Sequence, residues 1–265
     1  MHINLNLSLL EIMFSYIGRK IINFFQEFGQ VSILLLKVIG FFPKIFKNRK
    51  LVFSQMEHIG VGSLPLVIII AIFTGAVAAW QAAYQLKGLA PISFLGTATS
   101  RAIITELGPV LTGIIIAGRV GASIAAELGS MKVTEQLDAL ETMGISQVRY
   151  LAMPRFFASI IMLPILIIFA NVIAVLGAYL VSNFYLNVSY AVFFESVKRF
   201  FTIGDFLFGM FKGMIFGGVT ALLGCHIGFR TEGGAEGVGK STIRSFVVSS
   251  AVILILDYLL WSIVF

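Results

Sequence analysis

Cysteine is nearly absent. Cys225 is the single thiol in 265 residues, which excludes an internal disulfide and any multi-thiolate metal site. Histidine is also rare, and His2, His58 and His226 are too scattered to assemble a zinc site with that thiol. Charge is the third scarcity: Asp, Glu, Lys and Arg make up 12% of the chain, about half the share of a soluble domain. The start, "MHINLNLSLL", lacks the basic region and small-residue cleavage site of a secretory leader, so no removable segment is expected. What fills the space is apolar. Hydrophobic residues are 58% of the chain and the mean hydropathy is +0.97, the composition of an integral membrane protein.

About 20 mostly apolar residues in a helix cross about 30 Å of hydrocarbon. Five stretches qualify, near 62–86, 103–128, 156–182, 205–228 and 244–264. The first 50 residues differ. Arg19, Lys20, Lys37, Lys44, Lys47, Arg49 and Lys50 alternate there with Ile21-Ile22, Phe24-Phe25 and Phe41-Phe42, a pattern suited to amphipathic helix lying in the interface. A sixth span across 31–46 is cut short by Lys37, Pro43 and Lys44. Basic residues set the orientation. With the N-terminus inside, the cytoplasmic segments hold those seven cations, then Lys132, Arg149 and Arg155, then Arg230, Lys240 and Arg244; the outer segments hold Lys87, Arg101, Lys198, Arg199 and Lys212. The net charge of +6 therefore reads as an anchor to anionic lipid and not as a nucleic-acid footprint.

One motif argues for an enzyme. "GAEGVGKS", Gly234 to Ser241, matches the phosphate loop G-x-x-x-x-G-K-[ST], and "VILILD", ending at Asp257, imitates the strand that holds Mg²⁺. A phosphate loop needs a short buried strand before it and a multi-stranded sheet around it. Here a membrane-length apolar run, Gly209 to Phe229, precedes the pattern, and "VILILD" falls inside the last span. The glycine-rich stretch "RTEGGAEGVGKST" reads instead as a cytoplasmic connection between helices, and no catalytic residue, metal or cofactor is expected. An intramembrane hydrolase has no Ser/His/Asp or metal set at one depth.

The densest information lies in residues 105–155. Gly113, Ala117, Gly121, Ala125 and Gly129 recur every four residues, with Gly118, Ala122 and Ala126 beside them, so another helix can approach closely. Glu106, Arg119 and Glu127 share this span, and ionisable groups at membrane depth are functional candidates. The bland reading has Arg119 and Glu127 snorkelling or pairing structurally near the cytoplasmic end, and Glu106 at headgroup level. Asp257 in the last span is either a cavity or dimer contact or an interhelical hydrogen bond. Next, "KVTEQLDALETMG", Lys132 to Gly144, spaces Val133, Leu137 and Leu140 at helical intervals, with Glu135, Asp138 and Glu141 at other angles and Gly144 fit for a C-terminal cap. Anionic lipid would repel such a helix, so it reads as a docking element for a cytoplasmic protein.

"ELGPVLTGIIIAGRVGASIAAELGSMKVTEQLDALETMGISQVRYLAMPR" resembles the MlaE/YrbE permeases, the membrane subunits of MCE-associated ABC transporters, and the likeness extends from about residue 50 to the C-terminus through "GFRTEGGAEGVGKSTIRSFVVSSA". The resemblance implies an all-α membrane protein with an interfacial N-terminal segment, 1–50, and a five-span permease domain, 51–265. It implies a homodimer that moves phospholipid between membranes through a cavity between two copies. Glu135, Gln136, Asp138, Ala139 and Leu140 would form a coupling helix docked on a separate ATPase subunit. An MCE-domain protein, a hexameric ring, would sit on the outer face. Glu106, Arg119, Glu127 and Asp257 become candidates for the lipid cavity. Some relatives place Arg before the glutamate where this chain has Thr105, so a headgroup contact that needs that Arg is not carried over. The location implied is the inner membrane of a double-membraned bacterium, or else the plastid inner envelope. The other reading of the same assembly is a passive scaffold that anchors the ATPase and MCE proteins without moving lipid.

Overall fold

A computed structural model describes residues 2–264, with side chains from Gly18 onward except Phe24. All regular structure among these residues is helical. The elements are α1 (His2–Gly40), α2 (Arg49–Ile59), α3 (Leu64–Leu86), α4 (Leu95–Ala102), α5 (Gly108–Ile116), α6 (Ala122–Val133), α7 (Gln136–Thr142), α8 (Met153–Leu186), α9 (Tyr190–Phe200), α10 (Ile203–Phe229) and α11 (Gly234–Val264). Wide five-residue turns at Ile103–Leu107 and Ala117–Gly121 join α4, α5 and α6 into one continuous helical run, Ile92–Val133, and a third such turn, Val148–Ala152, opens α8. Turns of this kind interrupt the i→i−4 ladder and re-aim side chains, often at functional sites. Glu106 and Arg119 sit in the first two.

Six helices among the described residues are long and apolar enough to cross a membrane, so the chain is an integral membrane protein. The count from sequence was five. The addition is Gly18–Gly40, because the helix starts well before residue 31 and gathers Ile21, Ile22, Phe25 and Phe28 into one 23-residue run. Two other boundaries move. The last span begins at Gly234, so "GAEGVGKS" is the first turns of α11 and not a loop. Between the third and fourth long apolar helices after α1, the outer segment folds as α9.

Packing rests on glycine where backbones touch. α3 and α8 run parallel so closely that a Cβ on Gly75 would collide with the Ala174 carbonyl, and one on Gly177 with the Ile72 carbonyl. Because backbone cannot swing aside, Gly75→Ala is expected to cost about 1–3 kcal/mol in detergent unfolding. Gly239→Ala faces open space on α11 and is expected to be neutral or stabilising by up to about 1 kcal/mol. Equal effects of the two would remove close packing as the reason for Gly75.

The predicted small-residue stripe is internal to the subunit. Gly113 faces Phe216 and Ile253, Gly121 faces Thr220 and Ser245, Gly129 faces Thr231, and Ala117 and Ala125 are fully buried. Their partners lie on α10, α11 and the turn between them. α10 carries its own stripe, Gly209, Gly213 and Gly217, against the Ile103–Leu107 turn and α8. The core falls into two clusters bridged by α8: one gathers α2, α6, α7 and α10, the other α3, α4 and α9.

Candidate functional site

The charged residues predicted as one group occupy three separate places. Glu106 and Asp257 meet, and what joins them is Lys212 of α10, a residue the sequence reading had counted as an outer flanking charge. Lys212 is 0% exposed. Its Nζ lies 2.6 Å from Glu106 Oε2 and 2.7 Å from Asp257 Oδ1, the first a hydrogen bond and the second an ion pair. It also donates to the Thr105 carbonyl at 3.4 Å. Pro109, at the start of α5, has no N–H to return to the preceding turn, so carbonyls of that turn are left for other donors. The Phe208 and Trp261 rings stand 5.1 and 5.2 Å from the ammonium, within cation–π range.

Three helical elements thus supply one cation, two carboxylates, a carbonyl and two rings. Desolvating an ammonium is costly unless opposite charge is at contact distance, and the triad meets that demand with one negative charge to spare. The carboxylates differ in access: the Glu106 side chain is 41% exposed and that of Asp257 11%. A molecule approaching this site meets the Glu106 carboxylate first, with Lys212 hidden behind it. A usable signal lay in "GMFKGMIFGG": a lysine set in a glycine stripe on a membrane-length helix has buried neighbours.

Glu127 is elsewhere. It accepts from Arg155 Nη2 at 2.8 Å, and Arg155 Nη1 donates to the Leu151 carbonyl at 2.9 Å. Arg155 is buried within α8, so this cation, assigned from sequence to a cytoplasmic loop, is an interhelical clamp between α6 and α8. Arg119 stands apart from both, donating from Nη1 to Ser63 Oγ at 2.6 Å.

The acidic helix proves shorter than the Lys132–Gly144 segment predicted for it. Lys132 and Val133 finish α6; Glu135 then takes a left-handed conformation (φ 61°), and α7 covers Gln136–Thr142. Leu137 is buried, Leu140 half-buried, and Glu135, Gln136, Asp138 and Ala139 are exposed. The end is capped as predicted: Gly144 has φ +72°, its N–H donates to Glu141 O and that of Ile145 to Leu140 O, each at 2.9 Å, the Schellman arrangement. Lys132 Nζ pairs with Asp138 Oδ1 at 3.0 Å, and Gln147 Nε2 donates to the Leu137 carbonyl at 2.9 Å. These contacts hold α7 against its anchors with its polar face outward.

Lys240 completes no phosphate site. In α11 it pairs with Glu236 one turn back at 2.7 Å, both exposed. Cys225 and His226 are buried on α10, and no group of three His, Cys, Asp or Glu able to hold a metal occurs among the described residues.

The described residues thus form a helical membrane protein with a charge network buried between its helices and an exposed helix, α7, between two of its long spans. The "Permease MlaE" family profile matches residues 52–263. A probable ABC transporter permease protein of Rickettsia typhi is 37% identical over 249 residues, covering 94% of this chain and 96% of that one. The intermembrane phospholipid transport system permease protein MlaE of Haemophilus influenzae is 32% identical over 252 residues, 95% of this chain and 97% of its own. Protein TRIGALACTOSYLDIACYLGLYCEROL 1, chloroplastic, of Arabidopsis thaliana is 33% identical over 237 residues, 89% of this chain and 66% of its own. The chain belongs to the MlaE permease family.

Proposed function

We propose that this chain is the phospholipid-carrying permease subunit of an ATP-driven transporter. It works as a homodimer, with α7 docked on a separate ATPase subunit and a hexameric MCE-domain protein on the outer face. The observation that carries the reading is the Glu106–Lys212–Asp257 site: its charges are neutralised within the protein except at Glu106, which is left accessible. A lipid needs an apolar path with few polar contacts, and this site supplies one accessible carboxylate among apolar spans. Closure of the ATPase subunits would press on α7. The Lys132–Asp138 pair and the Arg155–Glu127 clamp would pass that motion to α6 and α8 and so repack the helices around the site.

The N-terminal segment, 1–50, fits the interfacial role in this reading, with residues 51–265 as the permease domain. Two polar contacts tie α1 to the α7 side of α10 and α11: Glu27 with Arg244 at 2.6 Å and Gln30 with Arg230 at 2.5 Å. A helix across that side would set its Lys and Arg side chains on anionic headgroups. The membrane is then the inner membrane of a double-membraned bacterium, or the plastid inner envelope; the Arabidopsis relative's name calls that protein chloroplastic.

Native mass spectrometry of the chain, purified in mild detergent after expression with its genomic neighbours, tests the reading. The expected mass contains two copies, two ATPase subunits, a multimeric MCE protein and bound phospholipid. A lone chain that hydrolyses ATP and loses this activity on Lys240→Ala would overturn it.

A further inference from the structure

Three basic side chains at membrane depth are given unequal company. Lys212 has two carboxylates and Arg155 has Glu127. Arg119 has a hydroxyl. Ser63 Oγ accepts from Arg119 Nη1 at 2.6 Å and gives its own hydrogen to the Ile59 carbonyl at 2.6 Å. No carboxylate pairs with Arg119 among the described residues. A guanidinium has five N–H donors and a permanent charge, so one neutral acceptor leaves most donors and the whole charge unanswered. At membrane depth such a group needs an anion.

Position indicates which anion. Ser63 immediately precedes α3, the 23-residue apolar helix, so the guanidinium lies level with the point where hydrocarbon gives way to headgroups. It is at the α7 end of the molecule, roughly 20 Å along the helical run from Glu106 at 1.5 Å per residue. The bend at Gly60–Ser63 is shaped around it: a Cβ on Gly62 would stand 2.9 Å from Nη2. Arg119 itself is half-buried, so part of it stays open.

We propose that Arg119 and the Gly60–Ser63 bend form a phosphate site for a phospholipid headgroup of the leaflet beside α7, separate from the Lys212 triad. The planar fork suits two phosphate oxygens. A free phosphate offers the same chemistry, but the level of the site with the start of α3 favours the lipid. The inference deepens the permease reading and rests on it for the purpose of the site. Its test reads binding alone, so loss of transport and loss of this site are distinguishable.

The test is native mass spectrometry of the full-length chain in detergent, titrated with phosphatidylglycerol and, separately, inorganic phosphate. Arg119→Gln is expected to weaken lipid binding about 10-fold or more, the scale of a charge-assisted hydrogen bond, and Arg119→Lys to fall between, keeping charge without the fork. Should Arg119→Gln not fold, Gly62→Ala serves, since its methyl displaces the guanidinium and leaves the charge; weaker binding is again expected. Unchanged lipid binding in the folded variants would overturn the site. Displacement of lipid by an equal concentration of inorganic phosphate would overturn the lipid assignment.

Discussion

Lys212→Met is expected to abolish lipid transport and to destabilise the fold by about 3–5 kcal/mol, the usual consequence of leaving buried charge without its partner. In the native chain both carboxylates contact one ammonium, at 2.6 and 2.7 Å. Methionine keeps the length and packing of the side chain and removes only the charge, so Glu106 and Asp257 would repel each other. The triple variant Lys212→Met, Glu106→Gln, Asp257→Asn separates stability from function. With no charge left to compensate, its unfolding in detergent should recover most of the loss, because the penalty of the single variant comes from buried charge left without its partner. Transport of headgroup-labelled lipid between vesicles should not return, since the accessible carboxylate is gone. A single Lys212→Met variant as stable as the native chain would show that the ammonium is not what holds the carboxylates together.

Asp138→Lys is expected to reduce ATP-driven lipid transfer to near background while the chain folds normally. The Asp138 side chain is 54% exposed, and an ion pair this open to water contributes at most about 1 kcal/mol. Losing the bridge to Lys132 therefore costs little structure. The change reverses the charge at the middle of the exposed face of α7, where a docked ATPase would meet it. Co-purification of the ATPase subunit and transfer in proteoliposomes would be measured together. Full transport by this variant would remove α7 as the docking element; loss of folding would mean its role is structural.

Much of this was available from local sequence, for a physical reason. Span length, apolar content and helix capping depend on neighbours within one or two turns, so the long helices, the acidic face of α7 and the Gly144 cap could be read directly. Close approach was readable too, because small residues every four positions leave a groove on one helix. Sequence could not say which helix fills that groove, and here it is α10 and α11 of the same chain. The N-terminal helix, expected to lie in the interface, carries from Gly18 to Gly40 a run long and apolar enough to cross, which a window starting at residue 31 does not include. Lys240 is the contrary case: its motif matches a phosphate loop, which depends on a strand and sheet, whereas here the motif opens a span-length helix.

Tertiary structure alone decided the charges. Glu106 and Lys212 are 106 residues apart, and Arg155 and Glu127 lie on different helices on either side of α7. Lys212 looked like a flanking cation and Arg155 like a loop cation, because hydropathy records how apolar a segment is and not what faces each side chain. Whether an ionisable group at membrane depth is tolerated depends on the charge brought to within about 3–4 Å of it. That distance is set by helix packing between remote segments.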